Sequence, residues 1–213
     1  MTQPRLVLAS GNAGKLAEFR ALLADVAIDL VGLGAFPDAR MPAEGTDYAE
    51  NAAAKARTIA AATGLPALAD DSGLEVAALG GAPGPLSARY GGEGLDDAGR
   101  VAHLLGALGD APDRAAAFVC VAALAWPDGR VVVERGTCSG EILRVPAGAG
   151  GFGYDPVFRP EGRAGSMAQQ PEATKNAISH RARALAALRP ALAALAARAA
   201  RPGSSAERDE SAE

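Results

Sequence analysis

Aromatic residues are scarce in this sequence. Phe, Trp and Tyr account for 4% of the 213 residues, whereas hydrophobic residues as a whole account for 49%. We therefore expect a core of ordinary size, filled mainly by Ala, Leu and Val on closely packed helices and strands. The length fits one domain, expected over residues 1–201. Residues 202–213 are polar without apolar periodicity, and we expect them to form a disordered tail.

Cysteine is also rare. The two cysteines, Cys120 and Cys138, do not form a C-x-x-C spacing, so neither a zinc site nor a dithiol redox centre is indicated. Both are expected in the core of a protein kept in a reducing compartment. The sequence has no apolar run of about 18 residues and no signal-peptide segment at its start. We therefore expect a cytoplasmic protein without membrane contact.

An excess of basic residues is missing as well. The formal net charge is -4, which argues against a broad surface for nucleic acid. It remains compatible with one small anionic ligand in a local basic pocket.

The apolar pattern predicts an α/β protein. A strand over residues 6–9, a turn, a helix over residues 15–23 and a strand over residues 27–31 open the chain. The remaining predicted elements are a helix over 46–63 capped by Thr46 or Asp47, strands over 67–69 and 74–79, a short helix over 86–90, a helix over 96–108, a hairpin of 115–126 and 130–139, and a helix over 176–201 that bends at Pro190.

The first segment with chemical character is Ser10-Gly11-Asn12-Ala13-Gly14-Lys15, between the first strand and the first helix. Backbone N–H groups at a helix start, with a lysine beside them, form a phosphate site. The segment is not a P-loop, because its glycine spacing is too short and Leu16 stands where Ser or Thr is required. By itself it also fits a glycine-rich turn with a surface lysine.

The second segment is Asp70-Asp71-Ser72-Gly73, predicted at the end of a strand. Adjacent strand residues point to opposite faces, so one aspartate can face a cleft while the other braces the turn. Carboxylates are the ligands that Mg²⁺ prefers, and one near the metal can take a proton from the attacking water. An ordinary Asp-Ser-Gly turn is the alternative.

Two further segments suit a heterocyclic base. In Gly151-Phe152-Gly153-Tyr154-Asp155-Pro156, two aromatics alternate with glycine, as needed to stack a flat ring. A core aromatic pair beside a turn is the alternative. In residues 175–181, Lys175, His180 and Arg181 form a local basic group near a predicted helix start. That group also fits a solvated helix face.

Together these segments resemble one family. The strings SGNAGK (followed by Glu18), YAENAAAKA, LADDSGLEV, GGAPGPLSARY, GGFGYDPVF and KNAISHRARAL occur in the order and spacing of the inosine/xanthosine triphosphate pyrophosphatases. The resemblance implies an elongated, two-lobed α/β fold with a mixed curved central sheet, flanking helices and a nucleotide cleft between the lobes. It also implies a homodimer, dependence on Mg²⁺, and hydrolysis of non-standard purine nucleoside triphosphates (ITP, dITP, XTP) to the monophosphate and pyrophosphate.

The resemblance further implies a role for each matching residue. Asp71 would bind magnesium and accept the proton of water, with Glu44 as a second metal ligand and Asp70 in support. Lys15 would act in catalysis by offsetting charge on the triphosphate. The implied substrate-binding residues are Ser10, Gly11, Asn12, Ala13, Gly14, Lys15, Ser72, Phe152, Gly153, Tyr154, Asp155, Lys175, His180 and Arg181. Glu50, Asn51 and Lys55 would face the phosphates or the water shell of the metal.

The sequence departs from the family pattern at two positions. Glu44 directly precedes Gly45, whereas the family places its metal-associated glutamate two or three residues before that glycine. Gln169 stands where a glutamate is usual. Ala43 stands two residues before Gly45, where the metal-associated glutamate would be expected. A catalytically weakened nucleotide-binding module is therefore an alternative. A phosphotransferase that uses residues 10–15 is another alternative. The lack of Ser or Thr after Lys15 argues against it.

Overall fold

A computed structural model describes residues 3–200, without the side chains of residues 198–200. The expected tail over residues 202–213 lies outside the described residues. Within the described part, no helix combines the length and the apolar character needed to cross a membrane.

Within residues 3–200, seven strands form one mixed sheet. The strands are β1 (Arg5–Leu8), β2 (Asp29–Gly32), β3 (Ala67–Val76), β4 (Pro83–Gly84), β5 (Ala115–Ala125), β6 (Val131–Ile142) and β7 (Phe158–Pro160). Their order is β2-β1-β3-β5-β6-β7, with β4 paired to β3. β1 runs parallel to β2 and β3, and the other pairs are antiparallel. The predicted α/β fold with a mixed sheet is confirmed, and the two-lobed shape stays a prediction.

Five α-helices flank the sheet in the same part of the chain: α1 (Ala13–Leu22), α2 (Tyr48–Thr63), α3 (Asp97–Leu108), α4 (Glu172–Ile178) and α5 (His180–Ala200). Side-chain caps fix the starts of α1, α2 and α3, because Asn12, Asp47 and Asp96 each accept a backbone N–H of the first turn. Gly64 ends α2 in the left-handed conformation, at φ +65°.

Both faces of the sheet are covered. In β1, Leu6 and Leu8 face a cluster formed with α1 and α5, whereas Val7 faces α2. The α2 side is filled largely by alanine, which lets that helix lie close to the sheet. A third cluster joins α3 to the far ends of β5 and β6 around Phe118 and Phe158. Small and aliphatic side chains thus fill most of the core, as the composition predicts.

One strand was predicted wrongly as two. β3 runs without interruption from Ala67 to Val76, so residues 70–73 lie within a strand and not in a turn. Every residue of β3 pairs with β5, from Ala67 opposite Ala125 to Val76 opposite Ala116. This pairing outweighs the turn preference of an Asp-Asp-Ser-Gly sequence. The predicted strand over 74–79 therefore ends at Val76 and continues as a 3-10 turn over Ala77–Leu79.

The last predicted helix is also different. The helix is interrupted at Ser179, which separates α4 from α5. α5 continues through Pro190. Ser179 has extended backbone, at ψ 152°, and its Oγ accepts the N–H of Ala182 at 3.1 Å. It therefore caps the start of α5. Lys175 and Ser179 therefore do not lie on one continuous helix, in contrast to the single helix predicted over 176–201.

Candidate active site

A cavity of about 190 Å³ opens where β3, β5 and the start of α5 meet residues 85–100 and 152–155. Most of the predicted site residues line it: Asn12, Lys15, Glu44, Asp71, Ser72, Phe152, Gly153, Tyr154, Asp155, His180 and Arg181. Lys175 reaches the same wall through its ion pair with Asp155, at 2.6 Å. A larger open groove of about 780 Å³ lies at the ends of β5, β6 and β7, but small residues and exposed ion pairs line it. The predicted site residues thus converge on the smaller cavity.

Residues 10–15 lie at the start of α1, and of these Asn12 and Lys15 line the cavity, whereas Ser10, Gly11, Ala13 and Gly14 do not. Asn12 caps that helix through the N–H of Lys15, at 3.0 Å, and Ser10 Oγ accepts the N–H of Asn12, at 3.2 Å. A Cβ at Gly14 would lie 3.3 Å from the Phe152 ring. The glycine thus allows this segment to pack against residues 152–155, which are called the base segment below.

Asp70 and Asp71 point to opposite faces of β3, as adjacent strand residues must. Asp70 is 2% exposed and faces α1 and α5. It pairs with Lys15 Nζ at 2.8 Å and accepts Ser72 Oγ at 2.6 Å. Burial opposes ionisation of Asp70, but the charges of Lys15 and Arg181 outweigh it and hold the pKa of Asp70 far below its usual range. Asp70 is therefore a fixed negative charge.

Arg181 continues this buried network. Its Nε lies 3.4 Å from Asp70, and its Nη1 lies 3.0 Å from Glu18 on α1. Ser179 Oγ donates to the other oxygen of Glu18, at 3.2 Å. The start of α5 is thereby tied to α1, and Arg181 is held in a fixed orientation beside the cavity.

Asp71 lies on the α2 face of β3. It accepts Asn51 Nδ2 at 2.9 Å and Lys55 Nζ at 3.1 Å, and Lys55 Nζ also donates to Glu44 at 2.8 Å. Burial raises the pKa of Asp71, and Lys55 and Asn51 offset only part of that effect. Burial also opposes the charge of Lys55, but Asp71 and Glu44 raise the pKa of Lys55 on balance, so the lysine stays protonated. Glu50 is exposed in the first turn of α2.

The carboxylates of Glu44 and Asp71, at one end of the cavity, suit a magnesium ion that is also bound by a substrate. Glu44 and Asp71 both line the cavity, and each carboxylate retains lone pairs beyond its bond to Lys55. In the described part of the chain, no three Asp, Glu, His or Cys side chains converge on one point. Mg²⁺ is commonly held by one or two carboxylates, with water and substrate phosphate oxygens completing the octahedron. Two carboxylates that line one cavity fit that pattern.

Cations and aromatic rings gather at the other end of the cavity. Lys175 Nζ and Arg181 Cζ lie 5.0 and 5.2 Å from the centroid of the Phe152 ring. Asp155 accepts Lys175 Nζ at 2.6 Å and the Phe152 N–H at 3.0 Å. Burial raises the pKa of Asp155, and Lys175 offsets part of that rise. The base segment is thus anchored to α4.

His180 stacks on Phe118, with ring centroids 4.9 Å apart and planes 14° from parallel. Its Nδ1 is buried without a hydrogen-bond partner among the described residues. Burial and the neighbouring Arg181 hold the pKa of His180 well below its usual range, so the ring is neutral. Tyr154 donates its hydroxyl to the Ser87 carbonyl at 2.8 Å, and burial raises the pKa of Tyr154 to about 12.

Sequence reasoning missed several residues of this site. Glu18 has no predicted role, although its place three residues after Lys15 puts it on the same side of α1. Phe118 lies in an apolar strand that gives no sign of a ligand site. Asp97 and Arg100 also line the cavity, and their helix had been predicted only as an element.

Comparison with known proteins finds relatives along nearly the whole chain. A Ham1 family model matches residues 6–191. A dITP/XTP pyrophosphatase of Nocardia farcinica is 52% identical over 202 residues, covering 92% of this chain and 98% of the relative. A dITP/XTP pyrophosphatase of Streptomyces coelicolor is 50% identical over 191 residues, covering 87% and 96%. The structure of a HAM1 protein from Coxiella burnetii superposes with a TM-score of 0.81 at 44% identity, covering 89% of this chain and 98% of that one.

The family predicted from the six strings is thereby confirmed. The matches extend over nearly the full length of each relative, and they include every segment that lines the cavity. This chain belongs to the Ham1 family.

Proposed function

We propose that this protein hydrolyses non-standard purine nucleoside triphosphates, such as ITP, dITP and XTP, to the monophosphate and pyrophosphate. Relatives named dITP/XTP pyrophosphatase share half of its residues over most of both chains. The observation that carries the proposal is the division of one cavity into two ends. Asp71 and Glu44 with Lys55 lie at one end, and Lys175 and Arg181 with Phe152 lie at the other.

The carboxylate end suits phosphoryl chemistry. Magnesium, held by Asp71 and Glu44 when bound, would supply positive charge to the triphosphate oxygens. Asp71 is the proposed proton acceptor for the attacking water, because its raised pKa makes it a better base than an exposed aspartate. Attack at the α-phosphorus breaks the bond to the β-phosphate oxygen, and pyrophosphate leaves with the bonding electrons.

Lys15 and Lys55 have different proposed tasks. Lys15 is partly exposed to the cavity and is paired with Asp70, so a short side-chain movement would bring its ammonium to a phosphate oxygen. Lys55 is buried between Glu44 and Asp71 and keeps the two carboxylates close together. One cation thus neutralises substrate, and the other offsets repulsion between the proposed metal ligands.

The other end suits a base with a 6-keto group. Lys175 and Arg181 offer only donors, and a keto oxygen accepts from them. Adenine presents a 6-amino group, which cannot accept from the N–H groups that remain on Lys175 and Arg181 beyond their carboxylate partners, at a cost in binding. Phe152 offers a ring face for stacking. Ser72, Tyr154 and neutral His180 complete the proposed pocket.

Magnesium dependence, a homodimeric assembly and a cytoplasmic location belong to the same proposal. The negative net charge supports a small nucleotide, and not a nucleic acid or a membrane, as the partner. Light scattering of the purified chain would measure its mass in solution, and a monomeric mass would overturn the dimer.

The first test is pyrophosphate release from ITP, dITP, XTP, GTP and ATP with and without Mg²⁺. We expect turnover of the first three, weak turnover of GTP and ATP, and none without the metal. Asp71→Asn should abolish turnover while nucleotide binding largely survives, and Asp38→Asn, at an exposed position, should behave as wild type. Orthophosphate as product would indicate a phosphatase instead. Binding without turnover in the wild type would favour a nucleotide-binding module.

A further inference from the structure

Asp97 connects α3 to the base segment of the cavity. It is the first residue of α3, and its Oδ2 accepts the Gly153 N–H at 2.6 Å. Its other oxygen accepts Arg100 Nη2, also at 2.6 Å. Asp97 and Arg100 line the cavity together with the base segment. One carboxylate therefore joins α3 to the backbone of residues 152–155.

The base segment is held from two sides. On one side, Asp155 binds Lys175 and accepts the Phe152 N–H. On the other side, Gly153 is bound by Asp97, and the Tyr154 hydroxyl is bound by the Ser87 carbonyl. The first side already belongs to the proposed base site. The second side comes from residues 87–97, which neither the motifs nor the proposed chemistry assign to substrate.

The backbone of the base segment needs such support. Gly153, and Gly151 directly before the segment, have φ values of +61° and +73°, a conformation in which glycine carries no side-chain penalty. Glycine also has more backbone freedom to lose than any other residue, so a loop with two glycines keeps one shape only when other contacts fix it. Asp97 is a firm anchor for this purpose, because α3 is packed into the core through Val101, Leu104 and Leu108.

We propose that Asp97 is a positioning residue that holds Gly153 and its neighbours in the shape that receives the purine base. This inference rests on the proposed function for its kinetic consequence. Asp97 does not touch the carboxylate end of the cavity, so it acts on substrate binding and not on the phosphoryl step. Its loss releases the Gly153 N–H and leaves Arg100 without its carboxylate partner beside the base site.

The test combines hydrogen exchange with kinetics. In Asp97→Ala, amide exchange of a peptide over residues 149–157 should become faster in the nucleotide-free protein. KM for ITP should rise about tenfold, the size expected from one lost hydrogen bond to a charged group, with kcat within about twofold of wild type. Asp97→Asn retains a carbonyl acceptor for Gly153 and should restore most of both properties.

A neighbouring residue provides the matched control. Asp96 caps α3 through the Gly99 N–H at 2.8 Å, so Asp96→Ala weakens the helix but retains the bond from Asp97 to Gly153. It should lower the melting temperature without slowing or speeding exchange in residues 149–157, and without raising KM. Equal effects of Asp96→Ala and Asp97→Ala on KM would overturn the inference, as would unchanged exchange in Asp97→Ala. The exchange measurement needs no turnover, so failure of the proposed activity is detected separately by wild-type pyrophosphate release.

Discussion

The ammonium of Lys55 lies 3.1 Å from Oδ1 of Asp71, and both side chains are almost completely buried. The contact opposes the effect of burial on Asp71, whose pKa would otherwise be higher still. The ionised form of the proposed proton acceptor is therefore stabilised by a residue on a different element, α2.

Replacing Lys55 by methionine tests this relationship. Loss of the cation raises the pKa of Asp71, so the acid limb of the pH–rate profile should move to higher pH, because the base must be ionised to act. We expect kcat at neutral pH to fall by about 10²-fold, a loss in the range of general base catalysis. Arg57→Met removes an exposed cation from the same helix and should change neither quantity. A profile that stays in place in Lys55→Met would contradict the relationship.

Asp70 should contribute to stability in a pH-dependent way. Its pKa is lower in the folded protein than the ordinary value of 3.8, so its contribution is fully present above that value. The contribution is lost as pH falls from 3.8 towards the folded-state pKa. Asp70→Asn leaves Lys15 and Arg181 without their shared carboxylate, and should lower the free energy of unfolding at pH 7 by about 3–5 kcal/mol.

Urea unfolding at pH 7 and at pH 3 measures this effect. The difference between wild type and Asp70→Asn should shrink at the lower pH. Asp110→Asn is the control, since Asp110 is fully exposed where it pairs with Arg144 at 3.3 Å. A difference that is equal at both pH values would show that the carboxylate charge of Asp70 is not what stabilises the fold.

Local and distant features of the sequence differ in how well they could be predicted. The start of α2 was predicted at Thr46 or Asp47, because an N-cap acts within one helical turn. The environment of Asp70 was not, because its partners Lys15 and Arg181 are 55 and 111 residues away along the chain. The break at Ser179 has the same origin, since its partner Glu18 is 161 residues away. The turn propensity of residues 70–73 predicted the wrong conformation, because the pairing of β3 with β5 determines the conformation of these residues.

Tyr48 carries a buried hydroxyl with no hydrogen-bond partner among the described residues. Leaving such a group unpaired costs free energy, so Tyr48→Phe should leave stability unchanged or raise the free energy of unfolding by about 1 kcal/mol. Thermal unfolding measures the change. A loss of more than about 1 kcal/mol would mean that the hydroxyl is hydrogen-bonded in solution.

Gly136 on β6 permits the close approach of α5. A Cβ there would lie 2.2 Å from the His180 carbonyl oxygen and 2.3 Å from the Ala184 nitrogen. Gly136→Ala should therefore displace the start of α5 and cost about 3 kcal/mol or more of stability, at the upper end for overpacking. Because His180 begins α5, KM for the nucleotide should rise as well.

Gly106→Ala is the contrasting variant. A Cβ at Gly106 meets no atom within 4 Å, and the residue lies inside α3. Alanine is the better helix former there, so the free energy of unfolding should rise by about 0.5–1 kcal/mol. If both glycine variants destabilised the protein equally, the contact between β6 and α5 would not explain the effect of Gly136→Ala.

The placement of Asp70 and Asp71 on opposite faces of β3 constrains how this gene can change. Removing one codon within β3, upstream of the aspartates, would shift the strand by one residue against β5 and exchange the two faces. Asp71 would take the place of Asp70 beside Lys15 and Arg181, and Asp70 would move to the α2 face at the place of Ala69, two residues short of the position that faces Asn51 and Lys55. The loops around this strand can therefore vary in length, but the strand itself cannot. Insertions or deletions within residues 67–76 should be removed by selection even at positions where substitutions are tolerated.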